Sequence, residues 1–209
     1  MSDVSILDYG MSNLLSIQRG FEKVGASVEI VSSLKDTGSI NRLVIPGVGA
    51  FKSGMEELRN RELESLINEV NSQGKPILGV CLGMQLMTNS SIEKGLTTGL
   101  ELVNGDVIEL PNTIDGKATR VPHMGWSTVD FSLKSDNDFF SGIRPVHYYF
   151  VHSYYVDLHD STIGVGHTDF SGKPICVSFE KENCIGTQFH PEKSGEIGLS
   201  ILDKFKSWG

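Results

Sequence analysis

Between Val4 and Val80, short apolar runs alternate with amphipathic stretches, and this restricts the chain to a small set of folds. Val4-Ser5-Ile6-Leu7 reads as a strand ending at Asp8-Tyr9-Gly10. Ser12 or Asn13 then suits a helix N-cap, Leu14, Ile17, Phe21 and Val24 share one face, and Gly25 supplies a stop. Residues 27–31 and 42–45 read as the second and third strands, the third closed by Pro46-Gly47-Val48-Gly49. A helix is expected over about 61–73, where Leu63, Leu66, Ile67 and Val70 recur at helical spacing before Gly74. Pro76 to Val80 has the continuous apolar character of a strand covered on both faces. Strand–helix–strand alternation of this kind requires a parallel sheet with helices on both sides.

The second half changes character. Segments 106–110, 126–131, 147–151, 154–158, 162–168, 175–180 and 184–189 show period-two or short apolar patterns, expected as antiparallel additions to the same sheet. One brief helix is expected near 135–141. A closing helix starts near Ser194, with Ile197, Ile201, Phe205 and Trp208 on one side. No repeat or linker interrupts the chain, so residues 1–209 are expected to form a single domain. The fold class is α/β: an open, mixed, largely parallel central sheet flanked by helices, with antiparallel additions in the second half.

Composition excludes other classes. With 39% hydrophobic and 21% charged residues the chain is neither disordered nor fibrous. A net charge of −8 without a basic cluster argues against nucleic-acid binding. The longest nearly apolar stretch, Pro76 to Met87, is broken by Gln85 and is shorter than the roughly 18 residues of a membrane span. The N-terminus lacks the basic and apolar regions of a signal peptide. Cys81, Cys176 and Cys184 form no CxxC pair, so neither a disulfide framework nor a zinc site is expected, and reduced thiols in a cytoplasmic protein fit best. No metal and no cofactor are expected.

Three motifs carry chemistry. Gly79-Val80-Cys81-Leu82-Gly83 has the form Gly-x-nucleophile-x-Gly between an apolar strand and a helix pattern. Small residues at both ends permit a tight turn, and the helix N-terminus beyond it favours thiolate. The same residues would also suit a buried strand cysteine. His190-Pro191-Glu192 follows the apolar run from Cys184 to Phe189. Positions i and i+2 of an extended chain share a side, so Glu192 could orient the imidazole of His190. An isolated His-x-Glu equally suits a surface or core histidine. Pro46-Gly47-Val48-Gly49-Ala50-Phe51 sits on the carboxyl edge of the third strand, where two glycines permit a peptide to turn its N–H toward a developing oxyanion. It also suits a plain strand-to-helix turn. Among the other histidines, His152 is a candidate pocket residue.

Together these motifs resemble those of class I glutamine amidotransferases: residues 79–86, Gly79 to Leu86, and residues 186–194, Gly186 to Ser194. The Pro46-Gly47-Val48-Gly49-Ala50-Phe51 form resembles one branch, the glutaminase subunits of imidazole glycerol phosphate synthases. Asp8-Tyr9-Gly10 with Asn13, Pro122-His123-Met124-Gly125-Trp126 and Tyr149-Phe150-Val151-His152-Ser153-Tyr154 match that branch too, so the resemblance spans essentially the whole chain. It implies a flavodoxin-like amidotransferase fold, with Cys81 as nucleophile, His190 as general base and acid, and Glu192 as orienting carboxylate. Leu82 and the Val48–Gly49 peptide would supply oxyanion N–H groups. Gln85 and Glu93 would hold the substrate glutamine, with His152, Ser153 and Tyr154 lining its site. Trp126, Tyr149 and Lys193 match positions at or near the face that docks a (β/α)8 cyclase subunit in a heterodimer, although Trp126 and Tyr149 equally suit core aromatics.

The resemblance has departures: Ser12 where the pattern usually has Gly, Ser127 where Asn is common, and a less acidic segment at residues 88–91. Relatives of that branch supply ammonia for amidation of surface-polysaccharide sugars. The motif set as a whole matches the histidine-pathway branch, so the resemblance implies hydrolysis of glutamine through a Cys thioester with the ammonia passed to the cyclase subunit in histidine biosynthesis; amidation of a surface-polysaccharide sugar is the alternative, and a stand-alone Cys amidohydrolase a further one.

Overall fold

A computed structural model describes residues 2–11, 13–131, 139–143 and 145–209. In chain order its main elements begin with β1 (Val4–Leu7), α1 (Leu14–Lys23), β2 (Val28–Val31), β3 (Leu43–Ile45), α2 (Phe51–Asn60), α3 (Leu63–Ser72), β4 (Ile77–Val80) and α4 (Leu82–Leu86). The strands β5 (Ser90–Ser91), β6 (Thr97–Thr98), β7 (Gly105–Glu109), β8 (Thr113–Ile114), β9 (Lys117–Ala118) and β10 (His123–Val129) follow. The chain closes with β11 (Val146–His152), β12 (Tyr154–Leu158), β13 (Gly164–Phe170), β14 (Lys173–Lys181), β15 (Cys184–Thr187) and α5 (Gly195–Phe205).

The central sheet has seven strands in the order β13-β14-β15-β4-β3-β1-β2. β15, β4, β3, β1 and β2 pair in parallel, and β14 and β13 continue the sheet by antiparallel pairing. Alternation along each strand divides the core in two. Val4, Ile6, Val44, Leu78 and Ile185 pack with Ile17 and Phe21 of α1 and Ile201, Leu202 and Phe205 of α5. Leu7, Leu43, Ile45 and Ile77 pack with Phe51, Met55 and Leu58 of α2 and Leu66, Ile67 and Val70 of α3. Each large apolar side chain so buried contributes roughly 1.5–3 kcal/mol, which holds the strand order that builds the site.

Four expectations need correction. No element was expected over 51–60, yet α2 fills it, with Phe51, Met55 and Leu58 buried at helical spacing. α2 and α3 are separated at Arg61–Glu62, where Glu62 adopts a left-handed φ of 59°. Of the seven segments expected as antiparallel additions only three join the central sheet: β15 pairs with β4 in parallel, and β14 and β13 follow it antiparallel. β10 and β11 form a separate ribbon, and β12-β7-β5-β6 form a small sheet of their own. Period-two patterning shows that a segment is extended but not which strand it pairs with. On α5, Ile197 is exposed, and the buried stripe is Gly198, Ile201, Leu202 and Phe205. Residues 135–138 of the expected brief helix lie outside the described residues, as does Ser12. Among the described residues no helix is long and apolar enough to cross a membrane.

Candidate active site

The sheet order brings the three motifs together. β3, β4 and β15 are neighbours and run parallel, so their carboxyl ends open on one edge. Pro46 follows β3, Cys81 follows β4, and Gln188 to Glu192 follow β15. In the β4–β15 register Val80 faces Thr187, and the Cys81 N–H continues the ladder by donating to Thr187 O at 2.7 Å. A sulfur and an imidazole more than a hundred positions apart thus leave adjacent strand ends.

The turn at Cys81 is an elbow. Its backbone has φ 54° and ψ −108°, a sparsely populated conformation for a side-chain-bearing residue, costing about 1–3 kcal/mol. Close packing on either side maintains it. A Cβ on Gly79 would stand 2.7 Å from the backbone N of Met84, and one on Gly83 would stand 1.8 Å from Ile45 O. The two glycines let α4 press against the ends of β3 and β4, which leaves Cys81 at the bend, almost buried.

His190 and Glu192 are wholly buried as side chains, and His190 Nδ1 is 2.9 Å from Glu192 Oε1. Asn13 is one of the two residues, with Ser12, that the sequence offers as the cap of α1. It holds the cap position without making a side-chain cap, and its Nδ2–H donates to Glu192 Oε1 at 2.6 Å. Glu192 therefore accepts from two sides, which fixes the imidazole plane. The strand next to this loop clamps it further: His190 N–H donates to Tyr149 O, Tyr149 N–H donates to Ser194 Oγ, and Ser194 Oγ–H donates to His190 O.

Burial opposes a charge on His190, but the neighbouring Cys81 sulfur and then the Glu192 carboxylate outweigh it and raise the imidazole to about 9. Nε2 is nonetheless buried without a partner of hydrogen-bonding geometry, so the sulfur acts on the ring by proximity. The folded value lies above the unfolded one of about 6.5. The stabilisation is therefore complete below about pH 6.5 and is lost as pH rises through about 9. Denaturant unfolding should show stability falling by about 1 kcal/mol per pH unit across that window, and His190→Gln should flatten the slope. An equally steep slope in the variant would refute the assignment.

In front of Cys81 lies a cleft of about 370 Å³ lined by Val48, Gly49, Cys81, Leu82, Gln85, Glu93, His152, Ser153 and Tyr154, with Pro122 and Val151. Every residue proposed for the oxyanion or substrate thus borders one cavity, while His190 and Glu192 sit behind its wall. Two of these residues are more engaged than the sequence implied. The Glu93 carboxylate accepts the Phe51 N–H at 2.7 Å and so caps α2. His152 contributes wall rather than polar contact, because both ring nitrogens are taken. Nδ1 must donate to Tyr154 O at 2.8 Å, since a carbonyl only accepts. Nε2 must then accept from His123 Nδ1 at 2.9 Å. Burial, with smaller contributions from His123 and His190, lowers His152 to about 3 against the opposing Tyr154 hydrogen bond. The ring is therefore neutral at neutral pH.

One of the expected oxyanion donors is already engaged. Leu82 N–H donates to Gly47 O at 3.3 Å rather than facing the cleft unpaired. The Tyr9 phenol, buried and kept protonated chiefly by that burial, donates to Pro46 O at 2.5 Å. A Cβ on Gly47 would meet the Tyr9 oxygen at 2.2 Å, and Gly49 holds a φ of 125° that side-chain-bearing residues rarely adopt. The loop is thus built from residues that permit its peptides to turn, and it is buttressed from below by Tyr9.

Of the three residues expected near a docking face, Trp126 and Tyr149 pair across the β10–β11 ribbon. Trp126 is 56% exposed, and across the β10–β11 ribbon it faces the half-buried Tyr149, with ring centroids 6.0 Å apart. Met124, on the same strand, is 62% exposed, and Lys193 is exposed. Trp126 is therefore not a core aromatic.

Residues 5–206 match the family described as glutamine amidotransferase class-I. The chain belongs to the class I glutamine amidotransferase family. This amidotransferase is 40% identical to "Imidazole glycerol phosphate synthase subunit HisH 1" of Legionella pneumophila (strain Lens), over 98% of this chain and 99% of the relative. It is also 40% identical to the HisH subunits of Geobacillus sp. (strain WCH70), over 98% of this chain and 96% of that one, and of Geobacter sulfurreducens, over 98% of each. A solved structure titled "Crystal structure of glutamine amidotransferase" superposes with a TM-score of 0.74 at 14% identity, covering 97% of this amidotransferase and 98% of that chain, which shows the shared fold.

Asn13, Tyr9 and Gln188 are the polar groups of the site to which the residue-level reading gave no role there. Asn13 read as a cap, and the long-range partners of the other two are visible only in three dimensions.

Proposed function

We propose that this chain hydrolyses glutamine to glutamate and ammonia through a Cys81 thioester and passes the ammonia to a (β/α)8 cyclase partner that makes imidazole glycerol phosphate in histidine biosynthesis. The observation that carries the chemistry is the meeting of Cys81 with the His190–Glu192 pair at the ends of β4 and β15, over a cleft with Gln85 and Glu93 in its wall. Cys81 attacks the carboxamide carbon, and the electron pair of the carbonyl moves onto oxygen. His190 delivers its proton to the amine, the C–N bond breaks and ammonia leaves. His190 then takes a proton from water, the hydroxide adds to the thioester, and the C–S bond breaks to give glutamate and the thiolate. Glu192 and Asn13 hold the imidazole throughout.

Ammonia released into water is protonated and ceases to be a nucleophile, so the chemistry favours a covering partner. The exposed Trp126, Met124 and Lys193 form a surface for it, and the relatives named above support the choice of pathway. The heterodimer is cytoplasmic on this reading.

The engaged Leu82 N–H supports a resting enzyme of low activity. The Gly47–Gly49 peptides must turn before a tetrahedral oxyanion finds donors, and partner binding supplies the bias. Glutamate formation should be slow for the isolated chain and rise at least about tenfold with the cyclase subunit and its nucleotide acceptor. Equal rates with and without them would refute the proposed control.

A further inference from the structure

We propose that Gln188 is a catalytic residue: its side-chain amide donates a hydrogen bond to the Cys81 sulfur, holding the thiolate in place and assisting its departure from the thioester. The inference rests on the glutaminase reading above. Gln188 is completely buried, and its Nε2 lies 3.6 Å from Cys81 Sγ.

One carbonyl settles the direction of this bond. Tyr154 O can only accept, so the Gln85 atom 3.1 Å from it must be the amide nitrogen. The same nitrogen lies 2.9 Å from Gln188, which must therefore present its oxygen there. The Gln188 NH₂ is left facing the sulfur. His152 Nδ1–H donates to the same Tyr154 carbonyl, and His152 is itself held by His123, whose Nε2 lies 2.8 Å from Ser127 Oγ. A chain of hydrogen bonds thus runs from β10, the strand bearing Trp126, to the nucleophile. Backbone register supports it, because Gln188 is the residue after Thr187 just as Cys81 is the residue after Val80, and those two face each other.

A donor on sulfur matters most when the sulfur is charged, because a hydrogen bond to an ion is about twice as strong as one between neutral groups. It favours thiolate before attack. It also stabilises the thiolate expelled after water adds to the thioester. With the sulfur held by Gln188, His190 Nε2 makes no hydrogen bond and remains available to protonate the departing amine.

Gln188→Glu tests this in the complex with the partner subunit. It keeps an oxygen for Gln85 and replaces the donor by an acceptor. The expected result is a kcat for glutamate formation about tenfold lower or more, with KM for glutamine within about twofold, and Cys81 alkylation by iodoacetamide at pH 7 slowed about tenfold. Alkylation within twofold of the unsubstituted protein, or a loss of kcat matched by a rise in KM, would overturn the proposal. Gln188→Met, which removes both polar groups, should slow alkylation equally.

If neither variant folds, the side-chain amide resonance of Gln188 in the otherwise native protein decides. It should move on Cys81→Ala, and an unmoved resonance overturns the proposal. A native complex that makes no glutamate would defeat the glutaminase reading, while alkylation and resonance would still report on the bond to sulfur.

Discussion

Cys81→Ala is expected to lower glutamate formation by about 10⁴-fold or more, with the fold and partner binding retained. The size follows from the absence of a substitute. Cys176 donates to Ser178 O and Cys184 to Asn71 Oδ1, and burial pushes both thiols up to about 12. Neither borders the cleft. The change removes one sulfur atom from a nearly buried position and leaves the elbow backbone as demanding for Ala as for Cys. Glutamate production and circular dichroism, measured on the same preparation, check both halves. Appreciable residual turnover in a well-folded variant would remove Cys81 from the mechanism.

Gly83→Ala should destabilise the protein by about 3 kcal/mol or more. The added methyl would stand 1.8 Å from Ile45 O and 2.7 Å from Ile45 C. These are backbone atoms at the end of β3, a strand paired on both sides within the central sheet. Relief therefore requires moving α4 away from the sheet, and Cys81 with it. Gly38→Ala is the control: nothing lies within 4 Å of its Cβ, and a shift below about 0.5 kcal/mol is expected. Urea unfolding of the two variants gives the comparison. Equal stability would mean that the elbow does not depend on this close approach.

Both effects fall on residues whose motif was visible in the sequence, and that was no accident of labelling. Glycine spacing around Cys81, the carboxylate two positions after His190 and the glycines after β3 are local requirements of tight turns and shared faces, and local requirements leave local patterns. The resemblance then assigned roles to Gln85, Glu93 and the 152–154 segment, and the cleft contains them all. α2 was also legible in principle, since Phe51, Met55 and Leu58 recur at helical spacing. Gly54 and the polar residues between them diluted the signal.

Local patterning was enough to specify the alternation that builds a parallel sheet and the side chains capable of acyl transfer. Tertiary structure alone decided which strands became neighbours: β15 beside β4, and β10 with β11 apart from the main sheet. It therefore also decided that Gln188 faces the sulfur, that Asn13 holds Glu192, and that Gly47 O occupies the Leu82 N–H. The reason is physical. Alternation and turn preference act over a few residues, whereas strand order is chosen by the burial and hydrogen bonding of segments far apart in the chain, and only that choice fixes which polar groups meet.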